Sequence, residues 1–81
     1  MIYVYALKSK IRNYIYVGMT SDINDRMRRH NSGYEKTTRS YRPFELIYLE
    51  EFKNRQEARI KEKYLKSGVG KEFLKRISSK S

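Results

Sequence analysis

Residues 2–18 read Ile2-Tyr3-Val4-Tyr5-Ala6-Leu7-Lys8-Ser9-Lys10-Ile11-Arg12-Asn13-Tyr14-Ile15-Tyr16-Val17-Gly18. Over 2–8 the side chains alternate, with Ile2, Val4 and Ala6 on one face and Tyr3, Tyr5 and Leu7 on the other, which is the two-residue period of a strand. Ser9 to Asn13 is polar and turn-like. The alternation then resumes, Tyr14, Tyr16 and Gly18 facing one way and Ile15 and Val17 the other. Two such runs separated by about five polar residues predict an antiparallel hairpin. Paired in the obvious register, its strands bring Tyr5 and Tyr16 to the same face of a sheet.

Downstream, Thr20-Ser21-Asp22 offers N-cap oxygens and Gly33 a left-handed stop, so a helix is expected over about 21–31. Ile23, Met27 and His30 fall on one stripe of that helix, and Arg26 lies one turn before His30 on nearly the same face. Residues 34–43 form a basic loop carrying Lys36, Arg39 and Arg42 and ending at the only proline, Pro43. Phe44 to Phe52 is dense in Phe, Leu, Ile and Tyr, as expected of a strand buried on both faces at the sheet centre. Asn54 with Glu57 three residues on resembles a capping box and starts a second helix running to about Ser67, which Gly68 and Gly70 close. On its wheel Ala58 and Leu65 point inward, and Glu62 sits about 40° from Ala58, beside the apolar stripe. A short helix over 71–77 follows. The order β-β-α-β-α-α predicts a small α+β domain, a three-stranded mainly antiparallel sheet flanked by helices, over 1–77, with a flexible tail at 78–81.

Composition narrows the function. The chain has 81 residues, 19 Lys and Arg against 9 Asp and Glu, a formal net charge of +10 and a pI near 10.0. So large an excess makes a polyanion the first partner to consider. Without cysteine there is no disulfide, thiolate metal site or cysteine nucleophile, and a single histidine excludes a multi-histidine cage. No apolar run approaches bilayer length and no signal-peptide layout is present, so a cytoplasmic protein without a membrane partner is expected. Eight tyrosines supply apolar area with a polar handle, enough to build a sheet surface in an otherwise polar chain.

Five polar residues are not simply surface: Tyr5, Tyr16, Arg26, His30 and Glu62. Each has a plain alternative. A lone helical histidine is usually a core-edge residue, Arg26 belongs to a basic run with Arg28 and Arg29, and Glu62 has Arg59, Lys61 and Lys66 as possible partners on its own helix. Taken singly, they favour nucleic-acid binding over catalysis. Taken in order, Tyr3-Val4-Tyr5, then Tyr16-Val17-Gly18 with its tyrosine eleven residues after Tyr5, then Arg26, His30 and finally Glu62 resemble the GIY-YIG nuclease superfamily. The resemblance runs from about Ile2 to Leu74 and is closest to compact, single-domain bacterial members.

The resemblance implies that Tyr5 and Tyr16 are the two motif tyrosines, Arg26 the helix arginine, His30 the histidine one turn on, and Glu62 the metal-binding glutamate. Gly18 matches the closing glycine, where a missing side chain lets a phosphate approach the backbone. Tyr3 stands where the motif's name has glycine, and no asparagine follows Glu62. The implied activity is endonucleolytic hydrolysis of DNA with one divalent ion, Mg²⁺ or Mn²⁺, selective for structure with weak sequence preference. The expected chemistry has Tyr5, helped by Tyr16 and His30, activating water. A nearby cation or His30 lowers the tyrosine pKa or relays its proton, Arg26 clamps phosphate, and Glu62 holds the ion near the leaving oxygen. Which tyrosine is the base stays open at this level.

Lys8, Lys10, Arg12, Arg28, Arg29, Lys36, Arg39 and Arg42 are candidates for phosphate contact, each equally readable as a solubilising charge. The expected partner is branched, nicked or single-stranded DNA, with RNA a further possibility, and a monomer is the default for so basic a chain. Two non-catalytic readings compete: a silent DNA- or RNA-binding module on the same scaffold, and a structural protein of a ribonucleoprotein particle.

Overall fold

The computed structural model describes residues 1–78, so 79–81 of the expected tail lie outside the described residues; Ser78 itself ends a helix. Strands β1 (Ile2–Ser9) and β2 (Ile15–Thr20) form the hairpin, followed by α1 (Ile23–Ser32), a 3₁₀ turn at Arg39–Tyr41, β3 (Phe44–Phe52), α2 (Arg55–Lys66) and α3 (Gly68–Ser78). The sheet is antiparallel throughout, in the order β2-β1-β3.

That order corrects the expectation for β3, which is an edge strand. The centre is β1, where Val4, Tyr5, Ala6 and Leu7 are essentially inaccessible, because this strand alone has a neighbour on each side and a helix layer on each face. The apolar density of β3 serves both faces, Phe44 entering one cluster while Ile47, Tyr48 and Phe52 pack against the other. Leu46 and Leu49 are left exposed.

Alternation along the hairpin sorts the core into two. Val4, Ala6 and Val17 pack under Ala58 and Leu65 of α2 and Leu74 of α3. Tyr5, Leu7 and Phe44 pack on the other face, with Tyr14, Tyr16, Ile23, Met27 and Tyr41 around them. Helix α1 therefore covers the tyrosine face, and α2 and α3 the aliphatic face.

Capping largely follows the sequence. Asp22 accepts the Asp25 N–H at 3.1 Å, and Gly33, at φ 82°, ends α1 in the left-handed region. Asn54 accepts the Glu57 N–H at 2.9 Å at the start of α2. The second correction concerns Gly68 and Gly70, which begin α3 instead of closing α2. A Cβ at Gly70 would lie 2.0 Å from the Tyr64 carbonyl oxygen and 2.5 Å from the Leu65 Cα, so glycine lets the new helix start against the end of the old one. Ser67 alone separates them, and its hydroxyl accepts the Gly70 N–H at 3.3 Å. Hence α3 starts three residues earlier than the pattern over 71–77 predicts.

Candidate active site

The register places Tyr5 opposite Gly18 and Leu7 opposite Tyr16, so the two tyrosines are diagonal neighbours on the α1 face. Their rings lie 6.1 Å apart. Gly18 makes this arrangement fit: a Cβ there would stand 2.8 Å from the Tyr5 hydroxyl and 3.0 Å from Tyr5 Cζ and Tyr16 Cε2. The expectation assigned the missing side chain to an approaching phosphate; the nearer reason is that Tyr5 and Tyr16 occupy the space.

The stripe of α1 delivers His30 into the same cluster, 1% exposed, its ring 4.8 Å from Tyr16 and 5.9 Å from Phe44. His30 Nε2 is 3.2 Å from the Tyr5 hydroxyl and Nδ1 is 2.9 Å from Thr38 Oγ1. The Thr38 hydroxyl has an acceptor of its own, the Glu35 carbonyl at 3.5 Å. With its proton directed there, Thr38 receives Nδ1–H, and the lone pair on Nε2 faces Tyr5, which donates to it. A hydrogen-bonded line thus runs from Tyr5 through His30 and Thr38 to the backbone of residue 35.

Electrostatics make the line a poised one. Burial, with Arg26 adding to it and Glu35 opposing, holds His30 below its ordinary 6.5, so the ring is neutral at pH 7. Burial also drives the Tyr5 pKa well above the usual 10.0; Tyr16 reinforces the shift and Arg26 counteracts it. This corrects the expectation of a tyrosine acidified by its neighbours. Desolvation outweighs the nearby cation, and Tyr5 keeps its proton unless His30 takes it.

Arg26 stands at the rim, half-exposed, with Nη1 3.7 Å from Glu35, which also lies 3.9 Å from Arg29. Glu62 does not join the cluster directly. It sits on α2, the layer across the sheet from His30, with its side chain 17% exposed and a carboxylate oxygen 3.3 Å from Lys66. Lys66, the ion-pair partner of Glu62, lines a cavity with Tyr16 and Val17 at the outer edge of β2. Among the described residues no three His, Cys, Asp or Glu gather into a metal cage.

The candidate phosphate contacts are dispersed. Arg28 and Arg29 pair with Asp25, and Arg39 donates from Nε to the Gly33 carbonyl at 2.9 Å. Lys8 is half-buried on β1, while Lys10, Arg12, Lys36 and Arg42 are exposed. Thr38 and Glu35 were not anticipated, since they fall in a loop without periodicity.

The model of the GIY-YIG catalytic domain matches residues 1–76. The chain belongs to the GIY-YIG family. A UPF0213 protein of Clostridium perfringens is 42% identical over 82 residues, spanning all of this chain and 87% of that one. Another, from Staphylococcus haemolyticus, is 35% identical over 96% of this chain and 95% of its own length. The solution NMR structure of the UPF0213 protein BH0048 from Bacillus halodurans is similar with a TM-score of 0.56 and 36% identity, covering 95% of this chain and 85% of that one. Membership of this nuclease family fits the order of Tyr5, Tyr16, Arg26, His30 and Glu62 along the fold.

Proposed function

We propose that this chain is a metal-dependent endonuclease that hydrolyses phosphodiester bonds in DNA, with residues 1–77 as its nuclease module and the cytoplasm as its place of action. The observation that carries the reading is the line Tyr5–His30–Thr38. A neutral imidazole whose free nitrogen faces a tyrosine hydroxyl is a built proton acceptor, more than a sheet core needs.

Tyr5 takes a proton from the attacking water as its own passes to Nε2 of His30, so no free tyrosinate has to form in a desolvated site. Thr38 holds the ring in the tautomer that can accept. Tyr16, the more exposed of the pair, lines the approach of the water. Arg26 exchanges its contact with Glu35 for two phosphate oxygens, and its planar guanidinium fixes their orientation.

The donor set fits one hard cation. Glu62 offers carboxylate oxygens on a partly covered side chain with no thiolate or second imidazole near, and Mg²⁺ commonly takes one or two carboxylates and fills its shell with water and phosphate oxygens. Glu62 would hold one Mg²⁺ or Mn²⁺, which would stabilise charge on the leaving oxygen. The candidate contacts are lysines and arginines suited to phosphates, all but the half-buried Lys8 exposed, which supports selection of DNA shape over sequence.

The test is incubation with branched, nicked and linear duplex DNA in Mg²⁺, beside Glu62→Ala and Arg26→Ala. Structure-dependent products are expected from the wild type and none from Glu62→Ala, while Arg26→Ala binds but turns over slowly. Salt-dependent binding without products in Mg²⁺ or Mn²⁺ would leave the silent binding module as the correct reading.

A further inference from the structure

The outer edge of β2 carries a feature that this chemistry does not use. One cavity of about 240 Å³ is lined by Asn13, Tyr14, Ile15, Lys71 and Lys75. A second, of about 280 Å³, is lined by Tyr14, Ile15, Tyr16, Val17, Lys66 and Lys71. Sharing Tyr14, Ile15 and Lys71, they form one trough between the strand edge and α3. Among the described residues lining it, three are lysines and none is acidic.

Two of the lysines, Lys71 and Lys75, lie one helical turn apart on α3, and both are exposed. The third, Lys66, pairs with Glu62. The aromatic wall is held in place, because the Tyr14 ring stacks on Tyr41 with centroids 3.9 Å apart and planes 13° from parallel. One end of the trough is Tyr16, beside Tyr5.

We propose that this trough is a track for single-stranded DNA leading away from the bond cut at Tyr16 and Glu62. Lys71 and Lys75 follow successive phosphates, Tyr14 offers a fixed ring on which a base stacks, and Lys66 passes from Glu62 to the strand when substrate arrives. A row of lysines facing aromatic rings matches a flexible strand with exposed bases better than a duplex, whose bases are already stacked. The proposal rests on the nuclease reading for what stands at the end of the track; the binding along it does not.

The experiment is an anisotropy titration of fluorescein-labelled oligothymidylate in EDTA, where nothing can be cleaved. The wild type is compared with Lys71→Gln/Lys75→Gln, Tyr14→Leu and a control pair, Arg55→Gln/Arg59→Gln. The control pair is exposed on α2, lies outside both cavities and changes the formal charge equally. Each single-strand phosphate contact contributes about 0.7 to the salt slope, so losing two lowers the slope by about 1.4 and the affinity about 25-fold at 0.1 M salt. Tyr14→Leu weakens binding about five-fold or more, and the control pair changes little. Equal losses in the two double variants, or no loss in the lysine pair, would overturn the track. A wild type that binds the strand but never cuts DNA in Mg²⁺ would sink the nuclease reading and leave the binding comparison intact.

Discussion

Thr38 is inaccessible to solvent and its hydroxyl bonds His30 and the Glu35 carbonyl, so replacing it tests the tautomer without altering any side chain placed against substrate. Thr38→Val keeps the shape and removes the oxygen 2.9 Å from Nδ1. The ring then either buries an N–H without an acceptor, at a cost of about 1–3 kcal/mol, or moves the proton to Nε2. In the second state Nε2–H donates to the Tyr5 oxygen across the 3.2 Å contact, and Nε2 has no lone pair left to take the Tyr5 proton. The same 1–3 kcal/mol lowers the population of the accepting tautomer by about 5- to 150-fold, and kcat falls with it. KM stays put, since a buried threonine touches no substrate. Thr38→Ser restores the oxygen while losing a methyl group, so it should cost about 1 kcal/mol of stability and leave kcat near wild type.

Single-turnover cleavage, urea unfolding and ¹⁵N NMR on histidine-labelled protein measure the three quantities. The chain has one histidine, so the spectrum reports His30 alone. In the wild type Nδ1 should resonate as the protonated nitrogen and Nε2 as the acceptor, and Thr38→Val should shift protonation toward Nε2. If serine and valine variants lose kcat alike, or the valine variant keeps both kcat and the wild-type nitrogen pattern, Thr38 is only filling space and the relay is wrong.

Other outcomes follow from the same geometry. Tyr5→Phe should reduce kcat by about 10²- to 10⁴-fold and Tyr16→Phe by much less, because only Tyr5 bonds His30; the reverse order in a cleavage assay would make Tyr16 the base. Activity should fall on the acid side below pH 6.5, as protonation fills Nε2, and a pH–rate profile of kcat should lose that limb in a His30→Gln variant. Stability should move the same way. With a folded pKa below 6.5, the unfolded chain binds the proton first, so His30's contribution is complete above 6.5 and is lost as pH falls to the folded value, which urea midpoints in that window would register. Gly18→Ala should cost about 1–3 kcal/mol and disturb the His30 nitrogen signals, since its Cβ meets the Tyr5 hydroxyl at 2.8 Å. Leu74→Ala, far from the site in the aliphatic cluster, should destabilise by about 2–5 kcal/mol while leaving those signals unchanged.

What was legible in the sequence depended on period. Alternation in 2–8 and 14–18 put Tyr5 and Tyr16 on one face, and the spacing of Ile23, Met27 and His30 aimed the histidine at them, because strand and helix geometry convert spacing into direction. Position within the sheet was not legible for β3, since Phe44 to Phe52 looks equally apolar at an edge or a centre and only pairing distinguishes them. Gly68 and Gly70 misled for a related reason: a glycine relieves a close contact wherever one arises, and here it arises as α3 begins against Tyr64 and Leu65. Glu35 and Thr38 left no trace because a loop has no repeat.

These omissions change how the basic charge is understood. The sequence placed its phosphate contacts in 8–12, 28–29 and 36–42, yet Arg28 and Arg29 are paired with Asp25 and Arg39 is engaged by Gly33. Breaking a surface pair to take up a phosphate is cheap, of order 1 kcal/mol or less, so those residues retain a part in long-range attraction. Orientation is a different demand, and it needs charges already held at fixed spacing beside the reacting groups. Lys66, Lys71 and Lys75 come closer to that demand, because two helices place them along the β2 edge that Tyr16 lines, with Lys66 paired to Glu62. The net charge brings a polyanion to the whole surface, but the early start of α3, made possible by Gly70, sets the direction in which it lies.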